Sequence, residues 1–515
     1  MIFAGIFYAF LALVGRATLT ICRVELNRVE AQALSSVIGL AVITLLSTYL
    51  TLLGNPLGSI SKEMVLVLAI GSLFIIVYPR ARISEVKVLI TFREYAIALS
   101  ITASLVTLPF ILGGYQFAIL RGNGTDAFNY VTMADALSRF PLDWILAQAK
   151  ETLAAYSPNL PLGQELLHTR WSTSALLAFA SGAFSISSIE FEYVFTLILM
   201  VVLFDAFVVS FSATNSLNKL TVWLPVVFVI GFWGQFTLDI RAFSQIASLP
   251  LLVVMIGWVL SRQSVPLFRY GTAITAIVLA ALFFQYPEII LAFLPGAGLV
   301  FIVNLWLTRA ETGLSSSRFV DTAKVLIPTL ALIAPLLTFV ISFAAEQGRF
   351  AVNKSLGWET AYFSWLKHPI RAIWGGGVSP GFGLYSDKAY AAAAFLIGLG
   401  LTVGVLVRAV MLMSSRRQFH INYSECGLLF LAASGLLGAS LLVARDNIWA
   451  AGKVLSYFSI LIPIWMAIYV SLNKAPTSRL HKAMFRVLGV SIIGWGIMNL
   501  AAIINRCVLM EAKAI

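Results

Sequence analysis

Charge is scarce in this sequence. Asp, Glu, Lys and Arg together make up 11% of its 515 residues, where soluble domains carry about 25%. A chain of this length cannot cover a water-facing surface with so few charges, so a soluble multidomain protein is excluded, and disorder and coiled coil go with it. Cysteine is almost absent. Cys22, Cys426 and Cys507 stand singly without CxxC or Cys/His spacing, which removes a disulfide framework and a zinc site. No basic segment precedes the apolar run that starts at Met1, so no cleavable signal peptide is expected. Ten-residue apolar/polar alternation is missing too, which argues against a transmembrane barrel. What fills the chain is 60% hydrophobic residues, the composition of a polytopic membrane protein.

A helix crossing about 30 Å of hydrocarbon needs roughly 20 apolar residues. The runs that approach this lie at 2–15, 34–53, 64–78, 95–114, 190–213, 222–233, 245–261, 270–285, 289–307, 325–345, 391–407, 427–444, 457–472 and 483–504. The expected fold is therefore an all-α integral membrane protein of about 13–14 transmembrane helices, with amphipathic surface helices in a long non-cytoplasmic loop. Basic residues then set the orientation. Arg16, Arg23, Arg28, Arg80, Arg82, Lys87, Arg93, Lys219, Arg262, Arg269, Arg309, Arg318, Lys324, Arg408, Arg416, Arg417, Lys474, Arg479, Lys482 and Arg486 all fall in alternate connections, which marks those connections as cytoplasmic. The whole net charge of +12 resides on that side. It is a topology signal, and nucleic acid need not be invoked. The run 174–184 would invert every later loop if it spanned, so it is read as lying in or dipping into the interface.

Two long segments remain outside, 115–173 and 346–390. In the first, Gly122-Asn123-Gly124 makes a turn, and Thr125 or Asp126 can cap a helix carrying Phe128, Val131, Ala134 and Leu137 at helical spacing. Trp144, Ile145 and Leu153 mark a second amphipathic helix, both helices being suited to lie along the membrane surface. Shorter outer turns bring Asp239 and Arg241 in DIR, and Glu288 in QYPE. The second long segment holds Arg349, Lys354, His368 and Arg371, and a later outer turn holds Arg445 and Lys453. His168 closes the first long segment. Acids and bases gathered on one face above apolar helices suit a lipid-linked anion. A carboxylate can take the proton of an attacking hydroxyl, Arg and Lys can neutralise a leaving phosphate, and grooves between spans can take the prenyl tail.

A span, then a long outer loop opening on an acid in GTDAFNYVTMADAL, then many more spans, resembles the GT-C superfamily of membrane glycosyltransferases. The resemblance runs from Tyr95 onward, so the organisation reads as N-terminal helices (1–94), a GT-C-like core (95–345) with its outer loop at 115–173, a second outer loop (346–390) and C-terminal helices (391–515). It implies a sugar transferred, with inversion, from a polyprenyl-phosphate or -diphosphate donor to a glycan or lipid acceptor on the outer face of the plasma (inner) membrane. Asp126 maps onto the family's base and Asp239 onto its second acid, with Glu288 beside them. RDNIWAAGKVLSY, with Arg445 and Lys453, resembles an aromatic-basic segment near the C-terminal spans. Arg241, Arg349, Lys354, Arg371 and His168 complete the expected substrate and phosphate contacts, and Asp126 and Asp239 would hold a divalent cation, Mg or Mn, if one is used.

Each of these residues also has a plainer role. Asp126 can be a helix cap, Asp239 a local ion pair with Arg241, Glu288 a solvated loop acid, and Lys453 a snorkelling span end. Asp205 is the one acid placed well inside a span, where such residues are costly, although its position near the inner end also permits snorkelling to water. The rival functions are a polymerase or ligase of lipid-linked glycans (O-antigen type), which would carry a wide basic cleft under the second outer loop, and a lipid-glycan transporter or flippase, which would carry broken helices with polar groups near the midplane.

Overall fold

The computed structural model describes residues 2–24, 26–77, 90–112, 125–156, 160–161, 164, 171–239, 243–261, 271–312, 316–339, 341–342, 368–376, 388–413, 423–472 and 479–514. Every regular element among them is helical. In chain order the helices are α1 (Ile2–Ile21), α2 (Arg28–Leu52), α3 (Leu57–Val77), α4 (Phe92–Leu112), α5 (Thr125–Arg139), α6 (Leu142–Ala147), α7 (Lys150–Tyr156), α8 (Trp171–Phe184), α9 (Ser188–Ala213), α10 (Leu224–Ile230), α11 (Phe232–Asp239), α12 (Phe243–Leu260), α13 (Thr272–Gln285), α14 (Pro287–Thr312), α15 (Ser316–Ile333), α16 (Lys388–Met413), α17 (Tyr423–Ala444), α18 (Ile448–Phe458), α19 (Leu461–Leu472) and α20 (Arg479–Ala514).

Three helix starts share one signal, a small polar residue followed three positions later by Glu. Asn27 accepts from the Glu30 amide at 2.8 Å while its own amide group donates to the Glu30 carboxylate at 3.0 Å. The Thr91 amide donates to the Glu94 carboxylate at 2.7 Å, and the Glu94 amide donates back to the Thr91 hydroxyl at 3.2 Å. Ser187 and Glu190 make the equivalent pair ahead of α9. Each box satisfies amides that the first helical turn leaves without intrahelical partners, so α2, α4 and α9 begin ahead of the apolar runs expected at 34, 95 and 190.

Eight helices among the described residues are long and apolar enough to cross a membrane, and a ninth is present if one bent pair counts as a single span. This is a multi-pass membrane protein. The runs at 270–285 and 289–307 are that pair, meeting at 113° around Tyr286. Those at 222–233, 325–345 and 483–504 yield shorter apolar helices. The first of these stops for a visible reason. Gly231 is extended, and Asn499 of α20 reaches in to accept the Phe232 amide at 2.9 Å, so α10 ends and α11 starts afresh.

The centre of the bundle is α2, α8, α9, α12 and α13, whose residues are buried on nearly all sides. The outermost helices are α3, α16 and α17, which keep broad apolar faces exposed, as lipid-facing helices do. The run 174–184 is most of α8, and the protein encloses it: Ser174 through Ser181 are all buried. Between α1 and α2 the backbones touch. A Cβ on Gly15 would lie 1.8 Å from the Ser35 carbonyl oxygen, and one on Gly39 would lie 1.9 Å from that of Leu11, so only glycine fits at this crossing.

Contacts between distant helix ends fall into two sets. In one, Lys219 pairs with Glu94 at 3.0 Å, Asn218 donates to Ser471 at 3.0 Å and Ser424 donates to the Leu260 carbonyl at 2.6 Å. In the other, Gln285 donates to Thr44 at 2.9 Å and the Trp233 indole donates to the Ile373 carbonyl at 3.1 Å. The first set joins residues that the charge pattern puts in one set of loops, whereas Thr44 falls in the middle of the run 34–53.

The first amphipathic helix of 115–173 is α5, with Val131, Ala134 and Leu137 buried as expected. Met133 and Ala136 are buried as well, so α5 is covered by α3, α8 and α9 rather than laid on lipid. The second amphipathic stretch divides into α6 and α7. Gln148 between them is extended, and the Gln164 amide holds the break by donating to the carbonyls of Ile145 at 2.9 Å and Gln148 at 2.7 Å.

Candidate functional site

The most polar part of the interior lies where α13 ends. Tyr286 leaves the helix and Pro287, lacking an N–H, opens α14 in a new direction. The break leaves the Tyr286 side chain inside the protein, 3% exposed, facing α18. There the Tyr457 hydroxyl donates to the Tyr286 hydroxyl at 2.8 Å, and the Lys453 ammonium lies 3.3 Å from the same oxygen. Lys453 and Tyr457 are one helical turn apart on α18, so they present side by side. The ammonium also sits 4.9 Å from the centre of the Trp449 ring, an attraction that gains strength when water is excluded. Lys453 is only 8% exposed, which sets aside snorkelling as its role.

Glu288 occupies the first turn of α14, where the helix dipole favours an anion. One of its carboxylate oxygens is shielded from solvent, so it is not a solvated loop acid. Glu288 thus follows, two residues on, the tyrosine whose hydroxyl Lys453 meets. From there a band of hydroxyls and amides runs into the bundle. Gln245 donates to Ser456 at 2.9 Å, Thr173 donates to the Gln285 side-chain oxygen at 2.8 Å, Ser244 donates to Thr173 at 3.0 Å, and Thr48 and Ser172 lie 2.6 Å apart. All of these residues are buried. The side-chain carbonyl of Gln245 has no hydrogen-bond partner among the described residues, a costly arrangement in a protein interior.

Asp126 and Asp239 are placed by their backbones. Asp126 is in the first turn of α5, and the Tyr130 ring one turn later lies 6.0 Å from that of Phe243, which opens α12 just ahead of Ser244 and Gln245. Asp239 is the last residue of α11 and so precedes the same helix start. The side chains of both aspartates lie outside the described residues. So do His168, Arg241, Arg349 and Lys354.

Arg371 is buried in a separate place. It ends a short helical turn, Pro369–Arg371, packed on α16, and the chain just beyond it receives the Trp233 indole through the Ile373 carbonyl. Arg445 is exposed at the turn after α17, and His368 is exposed as well. Thus Lys453 meets Tyr286 at the break that Glu288 follows, Arg371 stands apart near α11, and Arg445 is exposed away from both.

The donor set has a clear chemical preference. Hydroxyls, amides and one ammonium suit an anion or a polyhydroxyl group, whereas a divalent cation needs several oxygen anions. Among the described residues no group of three or more His, Cys, Asp or Glu is placed to hold a metal ion. Tyr286, Tyr457, Gln245 and Gln285 were not among the sequence candidates. The two glutamines did carry a signal, since an amide inside an apolar span needs a partner; the two tyrosines carried none. No family model, no curated protein and no solved structure matches this chain.

Proposed function

We propose that the protein is a membrane glycosyltransferase of the GT-C type. It moves a sugar from a polyprenyl-phosphate-linked donor to a glycan or lipid acceptor at the outer face of the plasma membrane. In this reading the shorter helices complete the set of 13–14 crossings, α5 to α7 belong to the catalytic outer segment, and the cytoplasmic side is the one bearing Lys219. Asp126 removes the proton from the acceptor hydroxyl as its oxygen attacks the anomeric carbon from the face opposite the phosphate. The glycosidic C–O bond breaks, and the electron pair leaves on the lipid phosphate. Lys453 neutralises the charge gathering there, Arg371 stays a candidate for a separate contact to substrate near α11, and Asp239 and Glu288 orient the acceptor or hold a divalent cation. Arg241, Arg349, Lys354, Arg445 and His168 remain candidates for contacts to substrate.

The observation carrying this reading is the buried Lys453 ammonium set on the Tyr286 hydroxyl, which also accepts from Tyr457, at the helix break that Glu288 follows. A desolvated ammonium flanked by hydroxyls attracts a phosphate far more strongly than one in water. The test is transfer by purified protein from a polyprenyl-phosphate sugar. Removing a catalytic base typically costs about 10²–10⁴-fold in rate, so Asp126→Asn is expected to lose activity on that scale with its fold intact. Lys453→Gln is expected to weaken donor use as well. Unchanged transfer in both variants would overturn the reading.

One observation favours a second reading. The 113° break at Tyr286, lined by Gln285 and Glu288, is the kind of discontinuous helix that transporters use to hold a substrate inside the membrane. On that reading the protein moves a lipid-linked glycan across the bilayer. Vesicles containing the protein would then translocate the lipid without altering it.

A further inference from the structure

Far from the helix break, on the half of the bundle bearing Lys219, a carboxyl group is sealed within four helices. Asp205 of α9 is 0% exposed, so it does not snorkel to water. Its oxygens meet three hydroxyls and nothing else among the described residues. Tyr8 of α1 lies 2.6 Å and Ser36 of α2 lies 2.5 Å from Oδ2, and Tyr95 of α4 lies 2.7 Å from Oδ1.

We propose that this cluster is a proton-binding site in which Asp205 is held as the neutral acid, donating its proton to Ser36. The hydrogen count supports it. The Ser36 oxygen is within reach of two acceptors, Asp205 at 2.5 Å and the Ala33 carbonyl at 3.0 Å, but a hydroxyl has one hydrogen. If Asp205 is ionised, Ser36 has to share its single hydrogen between the two acceptors. If Asp205 carries the proton on Oδ2, it donates to Ser36, Ser36 donates to Ala33, Tyr8 donates to Oδ2 and Tyr95 donates to Oδ1. Every contact is then a complete hydrogen bond.

The distances also exclude a metal ion between these oxygens. A gap of 2.5–2.7 Å holds a hydrogen, whereas a calcium–oxygen bond alone takes about 2.3–2.6 Å on each side of the ion.

Charge around the cluster points the same way. Among the described residues the Asp205 carboxyl meets only the hydroxyls of Tyr8, Ser36 and Tyr95. On α1 the facing group is Tyr8, and Arg16 lies two turns on. On α2, Glu30 is engaged by Asn27 and Arg28 lies over the Phe92 ring. On α4, Glu94 pairs with Lys219, and Arg93 is the other charge beside Tyr95. Helices α8, α10 and α12 contribute no charged residue, α19 offers only Tyr469, and α5 carries Asp126, Tyr130, Asp135 and Arg139 at the other half of the bundle. Within α9 itself, Glu190, Glu192 and Tyr193 are at its first turns. An uncompensated carboxylate in hydrocarbon is costly, and the neutral acid avoids that cost. Loss of the proton makes Ser36 share its single hydrogen between Ala33 and Asp205, so the joint between α1, α2, α4 and α9 responds to protonation.

The test reads the proton directly and needs no substrate. Infrared spectra of the purified full chain, with aspartate carboxyls labelled with carbon-13, are expected to show a protonated-carboxyl stretch at neutral pH. That band should disappear in Asp205→Asn, shift in Ser36→Ala, which removes the acceptor, and fade as pH is raised. Where Asp205→Asn fails to fold, the labelled wild type and Ser36→Ala decide alone. Absence of the labelled band from the wild type at neutral pH, or a band unmoved in Ser36→Ala, would overturn the proposal.

Discussion

Arg408 and Glu425 show how a single residue changes meaning when its surroundings are known. In the sequence Arg408 is one of many basic residues that mark the cytoplasmic side. In the structure it is 7% exposed, and its guanidinium bonds the fully buried Glu425 carboxylate through two nitrogens, at 3.1 and 2.9 Å. Fork-to-fork pairing of this kind satisfies both charges. Leaving one of them behind alone costs about 3–5 kcal/mol. Glu425→Ala is therefore expected to lower the unfolding free energy in detergent by about that amount, read from denaturant titration. The double variant with Arg408→Met should recover much of the loss. A single variant as stable as wild type would mean the pair contributes nothing.

At the scale of an element, the contact between α1 and α2 is made by backbone. The Gly39 position leaves 1.9 Å between a new Cβ and the Leu11 carbonyl oxygen, and backbone cannot rotate away as a side chain can. Overpacking typically costs 1–3 kcal/mol. Gly39→Ala is expected to lower thermal stability by about that, while Gly71→Ala on α3, where nothing lies within 4 Å, is expected to be neutral or slightly stabilising. Equal melting temperatures for the two variants would refute the close approach. Helix starts were legible at this scale, because the Asn27, Thr91 and Ser187 boxes are local in sequence. Helix breaks were less so. Gly231 yields because Asn499, distant in sequence, takes over the Phe232 amide, and Gln148 yields because Gln164 supplies bonds to the carbonyls beside it.

For the whole molecule, the distribution of Lys and Arg makes a claim that labelling can check. Ser59 and Lys219 are both exposed and belong to opposite ends of the bundle. In a chain whose native cysteines are replaced, Ser59→Cys is expected to react with a membrane-impermeant maleimide in intact cells. Lys219→Cys should react only after permeabilisation. Labelling of both from one side would undo the topology and the placement of Asp126 with it.

Membrane character and helical class were decided by the sequence alone, because they depend on composition and on patterns short enough to read along the chain. Glu288 and Lys453 were legible as polar residues at span ends, but the contact of Lys453 with Tyr286 was not. It requires the turn at Tyr286 and the packing of α14 against α18. Tyr286 and Tyr457 gave no advance signal, since a tyrosine in an apolar run reads equally well as core or as membrane interface. Asp205 stood out as an expensive residue, yet only tertiary structure supplied Tyr8, Ser36 and Tyr95 from three other helices. Hydrogen-bond partners distant in the chain are chosen by packing, and packing has no local signature.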